Sequence, residues 1–272
     1  MYQALKNSLF EQDRHRYREI QKCVTTFNSM FNGNNIIQDD VFHIMENYVR
    51  KHDIPFELLR YGISDQEFCA CTFIREKRLF VLVNTAIPMA KQIFAAAHEL
   101  YHIYRFIDDD DSGLSERGSI LNATTIDETT TVMEDMEANT FAGLLLAPAD
   151  RIDEQMRIYG VKRGSIDLQG ILMLMEIFAI PYKAMVLRLF EEEIISENQA
   201  RDFFLVPQSE IVEQVELTGK ASRWLQIPKI PIRMGSLMEE MKTAEKLESV
   251  REERMKDDFD HIQQIKQLIS DK

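Results

Sequence analysis

The chain alternates between segments with apolar residues at helical spacing and two short runs of strand-forming residues. Residues 1 to about 30 are charged throughout and predict a polar helix or two. Gly33, Asn34 and Asn35 form a turn signal. Beyond Asp39 or Asp40, a plausible N-cap, Val41, Ile44, Met45, Tyr48 and Val49 repeat along one helix face. A second short helix is expected after Asp53 and Pro55. Residues 68–74 and 79–83 are rich in β-formers, and the polar link 75–78 between them predicts a hairpin. Pro88 suits the first turn of a helix that reaches about Tyr104.

The polar stretch 108–131 is long enough to predict a mobile loop or lid. It opens with four consecutive aspartates, but it lacks the EF-hand spacing and the closing Glu of a calcium loop. Residues 132–147 form a second apolar helix, stopped by Pro148. Helices follow at 168–178, 182–190 and 196–204. Pro207, Pro228 and Pro231 break up the next region, and 233–272 reads as a charged amphipathic helix. The pattern gives an α+β class, mostly helical with a small sheet. It divides into 1–150, a helical region 151–205 and a helical extension 206–272.

Charge changes the picture next. A formal net charge of -13 disfavours strong binding to nucleic acid or anionic membrane, because phosphate contacts need Lys and Arg. The one basic cluster near the N-terminus, Arg14, Arg16, Arg18 and Lys22, reads as a solvated helix face. Cys23, Cys69 and Cys71 make no disulfide framework, the first residues carry no signal core, and the most apolar stretch, 171–182, is interrupted by Glu176. A cytoplasmic protein without a membrane span is expected.

The candidate chemistry lies in the first apolar helix. His98 and His102 are four residues apart, so both imidazoles project from one face. Two imidazoles converging on one point suit Zn2+, and Glu99 stands where it can act as general base. Ile93, Phe94, Ala95, Ala96 and Ala97 precede the pair, while Leu100, Tyr101, Ile103 and Tyr104 surround it. A helix apolar on nearly every face is buried, and burying three polar groups without partners costs several kcal/mol, roughly one lost polar interaction each. A third ligand is required. Glu137 lies within the apolar stripe of the second helix, where a carboxylate needs a cation, and is the preferred candidate. Glu134, one turn earlier, is the alternative ligand or a histidine-orienting acceptor. Tyr101 and Tyr104 are candidates for oxyanion donation, with core packing as the plainer role.

Together the two helices resemble the ImmA/IrrE family of metallo-endopeptidases. The residues that carry the resemblance are His98-Glu99-Leu100-Tyr101-His102, then Glu137-Ala138-Asn139-Thr140-Phe141-Ala142 and Leu145-Leu146-Ala147-Pro148. The strand ending in Val83-Asn84 and the segment 176–196, similar to a helix-turn-helix-like element, extend it to roughly residues 40–200. The resemblance implies a zincin-like fold, with His98, His102 and Glu137 as zinc ligands and Glu99 as base. It also implies limited cleavage of a partner helix-turn-helix repressor that switches on a mobile-element, stress or defence operon. Tyr101 departs from the family, which usually has glycine there, and nothing in the family matches the tail beyond about residue 205. The competing readings are a non-cleaving binding regulator, antitoxin-like or sensory, with a structural zinc site, and a general housekeeping protease. The amphipathic tail is expected to pack on the body or to join two copies.

Overall fold

The computed structural model describes residues 3–31, 36–108, 118–127, 130–229, 233–236, 239 and 243. Three helices open the chain, α1 (Gln3–Lys6), α2 (Leu9–Gln12) and α3 (Arg14–Phe31). Helix α3 buries Tyr17, Ile20, Val24 and Phe27, which recur every three or four residues, and leaves its other face in water. Helix α4 (Val41–Lys51) follows a 3-10 turn (Gln38–Asp40). Asp40 precedes α4 as expected, but its backbone is already helical and its side chain makes no cap bond.

The segment after Pro55 is a strand, β1 (Phe56–Tyr61), where a short helix was expected. Its partner decides this: β1 lies parallel to β3 (Arg78–Asn84) from Phe56 opposite Leu79 to Tyr61 opposite Asn84. Strand β2 (Phe68–Arg75) and β3 form the predicted hairpin, closed by Glu76 and Lys77, both at positive φ. Two left-handed residues match the twist of a two-residue hairpin.

Helix α5 (Met89–Asp108) packs across β2 and β3. Its entry is fixed by Asn84, which is fully buried and fully bonded. Asn84 Oδ1 accepts from the amides of Ile63 at 2.8 Å and Ala86 at 2.9 Å, and Nδ2 donates to the carbonyls of Asp65 and Phe68. The polar stretch after α5 is not a single loop. It contains β4 (Gly118–Asn122), antiparallel to β2, and a short α6 (Ala123–Asp127). The aspartates 109–111 lie outside the described residues.

Helix α7 (Met133–Leu146) packs on α5 and α3 and is followed by α8 (Ala149–Ile158) and α9 (Leu168–Phe178). Next come α10 (Tyr182–Glu191), α11 (Glu197–Leu205) and α12 (Gln208–Thr218). Helices α9 and α10 meet at 103° around Ala179 in the left-handed region, the geometry of a helix-turn-helix. Tyr182, Met185, Val186 and Leu189 of α10 are buried, so its apolar face serves the core. A 3-10 turn (Ser222–Trp224) leads to β5 (Arg233–Met234), which pairs antiparallel with β1. Those two residues are strand, not the start of the helix expected over 233–272; most of that segment, and its expected oligomer contact, lie outside the described residues.

The fold is thus α+β, mostly helical, with a mixed sheet in the order β4-β2-β3-β1-β5. One contiguous apolar core runs from Leu5 to Ala221 and draws on all three regions into which the sequence divides. Among the described residues no single helix is long and apolar enough to cross a membrane.

Candidate metal centre

The site lies between α5 and α7. Ala95, Ala96 and Ala97 on α5, with Ala138 and Ala142 on α7, are fully buried, and their small side chains let the two helices approach closely. His98 and His102 face that seam, each 1% exposed, and their Nε2 atoms are 3.1 Å apart.

The far side of each ring is held by α7. Asn139 Nδ2 donates to the Thr125 carbonyl at 3.1 Å, which turns Asn139 Oδ1 toward His98 Nδ1 at 2.9 Å. An acceptor there keeps the proton on Nδ1 and leaves the lone pair on Nε2. Glu134 Oε1 lies 3.1 Å from His102 Nδ1 and does the same for the second ring. Burial, with His102 close by, pushes the His98 pKa well down and keeps that ring neutral. Burial also pushes His102 down, but Glu134, Glu99 and Asp135 outweigh it and raise that ring above the ordinary histidine value.

The third group is Asp135. Its Oδ1 is 3.9 Å from Nε2 of His98 and 3.9 Å from Nε2 of His102. The circle through these three atoms has a radius of about 2.1 Å, close to the bond lengths zinc makes with imidazole nitrogen and carboxylate oxygen. Buried His98 and His102 with Asp135 form a group that can hold a metal ion.

Glu137, the ligand preferred from the sequence, is placed elsewhere. Its carboxylate accepts from Arg16 Nε at 2.5 Å, from Arg16 Nη2 at 3.0 Å and from the Tyr101 hydroxyl at 2.5 Å. A carboxylate buried in that stripe does need a cation; the cation is a guanidinium from α3. Arg16 is correspondingly not on a solvated face. It pairs with Glu137 and Glu19, and Glu137 above all holds its pKa up. Tyr101 is buried with its hydroxyl committed to Glu137, so it neither crowds the metal group nor offers an oxyanion donor. Tyr104 packs near the rings of Tyr48 and Tyr101.

Sequence reading missed Asp135, although one signal was available. Asp135 and Asn139 are four residues apart and share a helix face, whereas Glu137 lies two residues from Asp135 and points away from it.

Glu99 is fully buried beside this group. Its Oε2 accepts from the Ser119 hydroxyl of β4 at 2.7 Å, and its Oε1 has no hydrogen-bond partner. Burial raises its pKa, with His102, Thr72 and Ser119 opposing. The Thr72 hydroxyl is also buried and makes no hydrogen bond of ordinary geometry. A polar oxygen left unpaired at this depth costs about 1–3 kcal/mol. A cation with an ordered water would satisfy it, so the residues present fit a metal.

Compared with known proteins, the chain matches no family model and no curated protein.

Proposed function

We propose that this protein is a zinc-dependent endopeptidase that makes limited cuts in a partner protein. The observation that carries the reading is the two inward Nε2 atoms and Asp135 Oδ1 around one point, with the unpaired Glu99 Oε1 buried next to them. Two imidazole nitrogens and one carboxylate suit zinc among the common divalent ions. When bound, zinc lowers the pKa of a water and polarises a carbonyl.

The chain's own residues supply the rest. Glu99 takes the proton of the attacking water on Oε1 and returns it to the leaving amine, and its raised pKa suits a group that must do both. Ser119 holds the other oxygen of that carboxylate. Ser119 belongs to β4, an edge strand with no partner on its outer side among the described residues. An open strand edge binds an extended chain through its backbone, which favours a peptide substrate.

On the resemblance of the two helices, the substrate is a helix-turn-helix repressor. Its cleavage would release a mobile-element, stress or defence operon. Free cysteines and the acidic balance agree with a cytoplasmic setting.

The protein should be mixed with the repressor encoded beside it, with and without a chelator. Fragments are expected only without the chelator. Glu99→Gln should keep the metal and lose cleavage, and His98→Ala should lose both. Cutting by Glu99→Gln at the normal rate would overturn the mechanism. One observation favours the non-cleaving regulator: His98, Glu99 and His102 are all buried, as in a structural site. Intact repressor under every condition, with metal bound, would select that reading.

A further inference from the structure

A concavity lies near the N-terminal end of α5, away from the metal group. It is a cleft of about 450 Å³ between the N-terminus of α5, α6 and the C-terminal helices α10 and α12. That size is typical of small-molecule sites. Trp224 and Tyr182 give it aromatic surface, and Ile87, Ile211 and Ile227 give it aliphatic surface.

The walls are tied in place. The amide of Met89 donates to the Gln226 carbonyl at 3.0 Å, and the Tyr182 hydroxyl donates to the Phe203 carbonyl at 3.0 Å. Arg223 Nη1 reaches Gln38 Oε1 at 3.2 Å, anchoring the turn that carries Trp224.

Lys91 and Lys183 line the cleft together with one acid, Glu67. Lys183 is half-buried on the first turn of α10 and has no hydrogen bond or ion pair among the described residues. A partly buried lysine with no counter-ion among the described residues, beside aromatic surface, suits an anion with an apolar body.

We propose that this cleft binds a small aromatic organic acid, its ring between Trp224 and Ile211 and its acidic group on Lys183. The site is independent of the peptidase reading. It also bears on the metal centre: Ala123 and Thr124 line the cleft, and the next carbonyl, Thr125, orients the Asn139 that holds His98.

Trp224 is the only tryptophan of the chain, so its emission reports the cleft directly. The full chain is titrated with 8-anilinonaphthalene-1-sulfonate, and in parallel with the uncharged N-phenyl-1-naphthylamine. Saturable one-to-one binding of the sulfonate is expected, with loss of Trp224 emission as energy passes to the dye. Lys183→Ala should weaken the sulfonate at least about fivefold and leave the uncharged dye unchanged. Lys183→Arg should restore most of the affinity, which separates lost charge from lost folding. Sulfonate binding without loss of Trp224 emission, or equal binding by the wild type and Lys183→Ala, would overturn the proposal.

Discussion

Two carboxylates two positions apart on α7 have exchanged the roles that their burial suggests. Glu137 is the more deeply buried, yet its cation is Arg16; Asp135 is part-exposed and faces both histidines. Asp135→Asn should therefore weaken metal binding by more than the roughly 10–100-fold expected for Asn139→Ala or Glu134→Gln, which remove only a ring's outer partner. Glu137→Gln should keep metal affinity within roughly tenfold and cost about 1–3 kcal/mol of stability. Competition with a chromophoric chelator and urea unfolding separate the two outcomes. Burial pushes the Glu137 carboxyl up, but the hydrogen bonds from Arg16 and Tyr101 push it down further, and the net shift is downward. Stability from this group is thus present above the ordinary carboxylate value of about 4.3 and lost as pH falls through the lower folded value. Unfolding midpoints between pH 6 and 3 should fall less steeply in Glu137→Gln than in the wild type. Metal affinity follows a different group. His102 must be neutral to bind, and its raised pKa means that protons compete from above the ordinary histidine value downward.

Beyond α5 and α7, which carry the metal group, β4 and α10 are the elements that brace them. Strand β4 approaches β2 so closely at Gly118 that an added Cβ would stand 2.9 Å from the Thr72 carbonyl oxygen. Gly118→Ala should displace β4 and with it Ser119, the partner of Glu99. The expected result is slower cleavage with unchanged metal affinity, read by kinetics beside chelator competition; unchanged cleavage would show that β4 does not position the base. Helix α10 contributes Arg188, 2% exposed, which donates to Glu191 at 2.6 Å, to the Tyr17 hydroxyl at 3.0 Å and to the Ala147 carbonyl at 3.2 Å. This cluster joins α10, α3 and the end of α7 and keeps Arg188 charged despite its burial. Arg188→Ala leaves Glu191 buried and unpaired, and should cost about 3–5 kcal/mol in urea unfolding. The Arg188→Met, Glu191→Leu double variant removes the two buried charges, leaves only the more exposed Glu192 of the cluster, and should recover much of that loss.

At the scale of the whole molecule, one core joins the N-terminal helices, the sheet and the C-terminal helices, so the cleft at Trp224 and the metal centre share a rigid frame. The carbonyl of Thr125 connects them through Asn139, and by linkage any effect of a cleft ligand on metal affinity is matched by an equal effect of the metal on that ligand. Zinc titrations with and without the dye should show that effect, and its absence would confine the cleft to binding alone. Much of this architecture was legible along the chain. Helices α5, α7, α9 and α10 declare themselves because their apolar residues repeat at local spacing, and the hairpin does so because its strands are neighbours. His98, Glu99 and His102 were legible for the same reason, since one turn of one helix sets their relation. Residues distant in sequence decided what remained. Strand β1 exists because β3 lies beside it, β4 because β2 does, and the cation that the buried Glu137 needs is Arg16, on a helix over a hundred residues away, not a metal between the histidines. Periodicity fixes which face of a helix is buried; only the packed fold fixes which cation waits against that face.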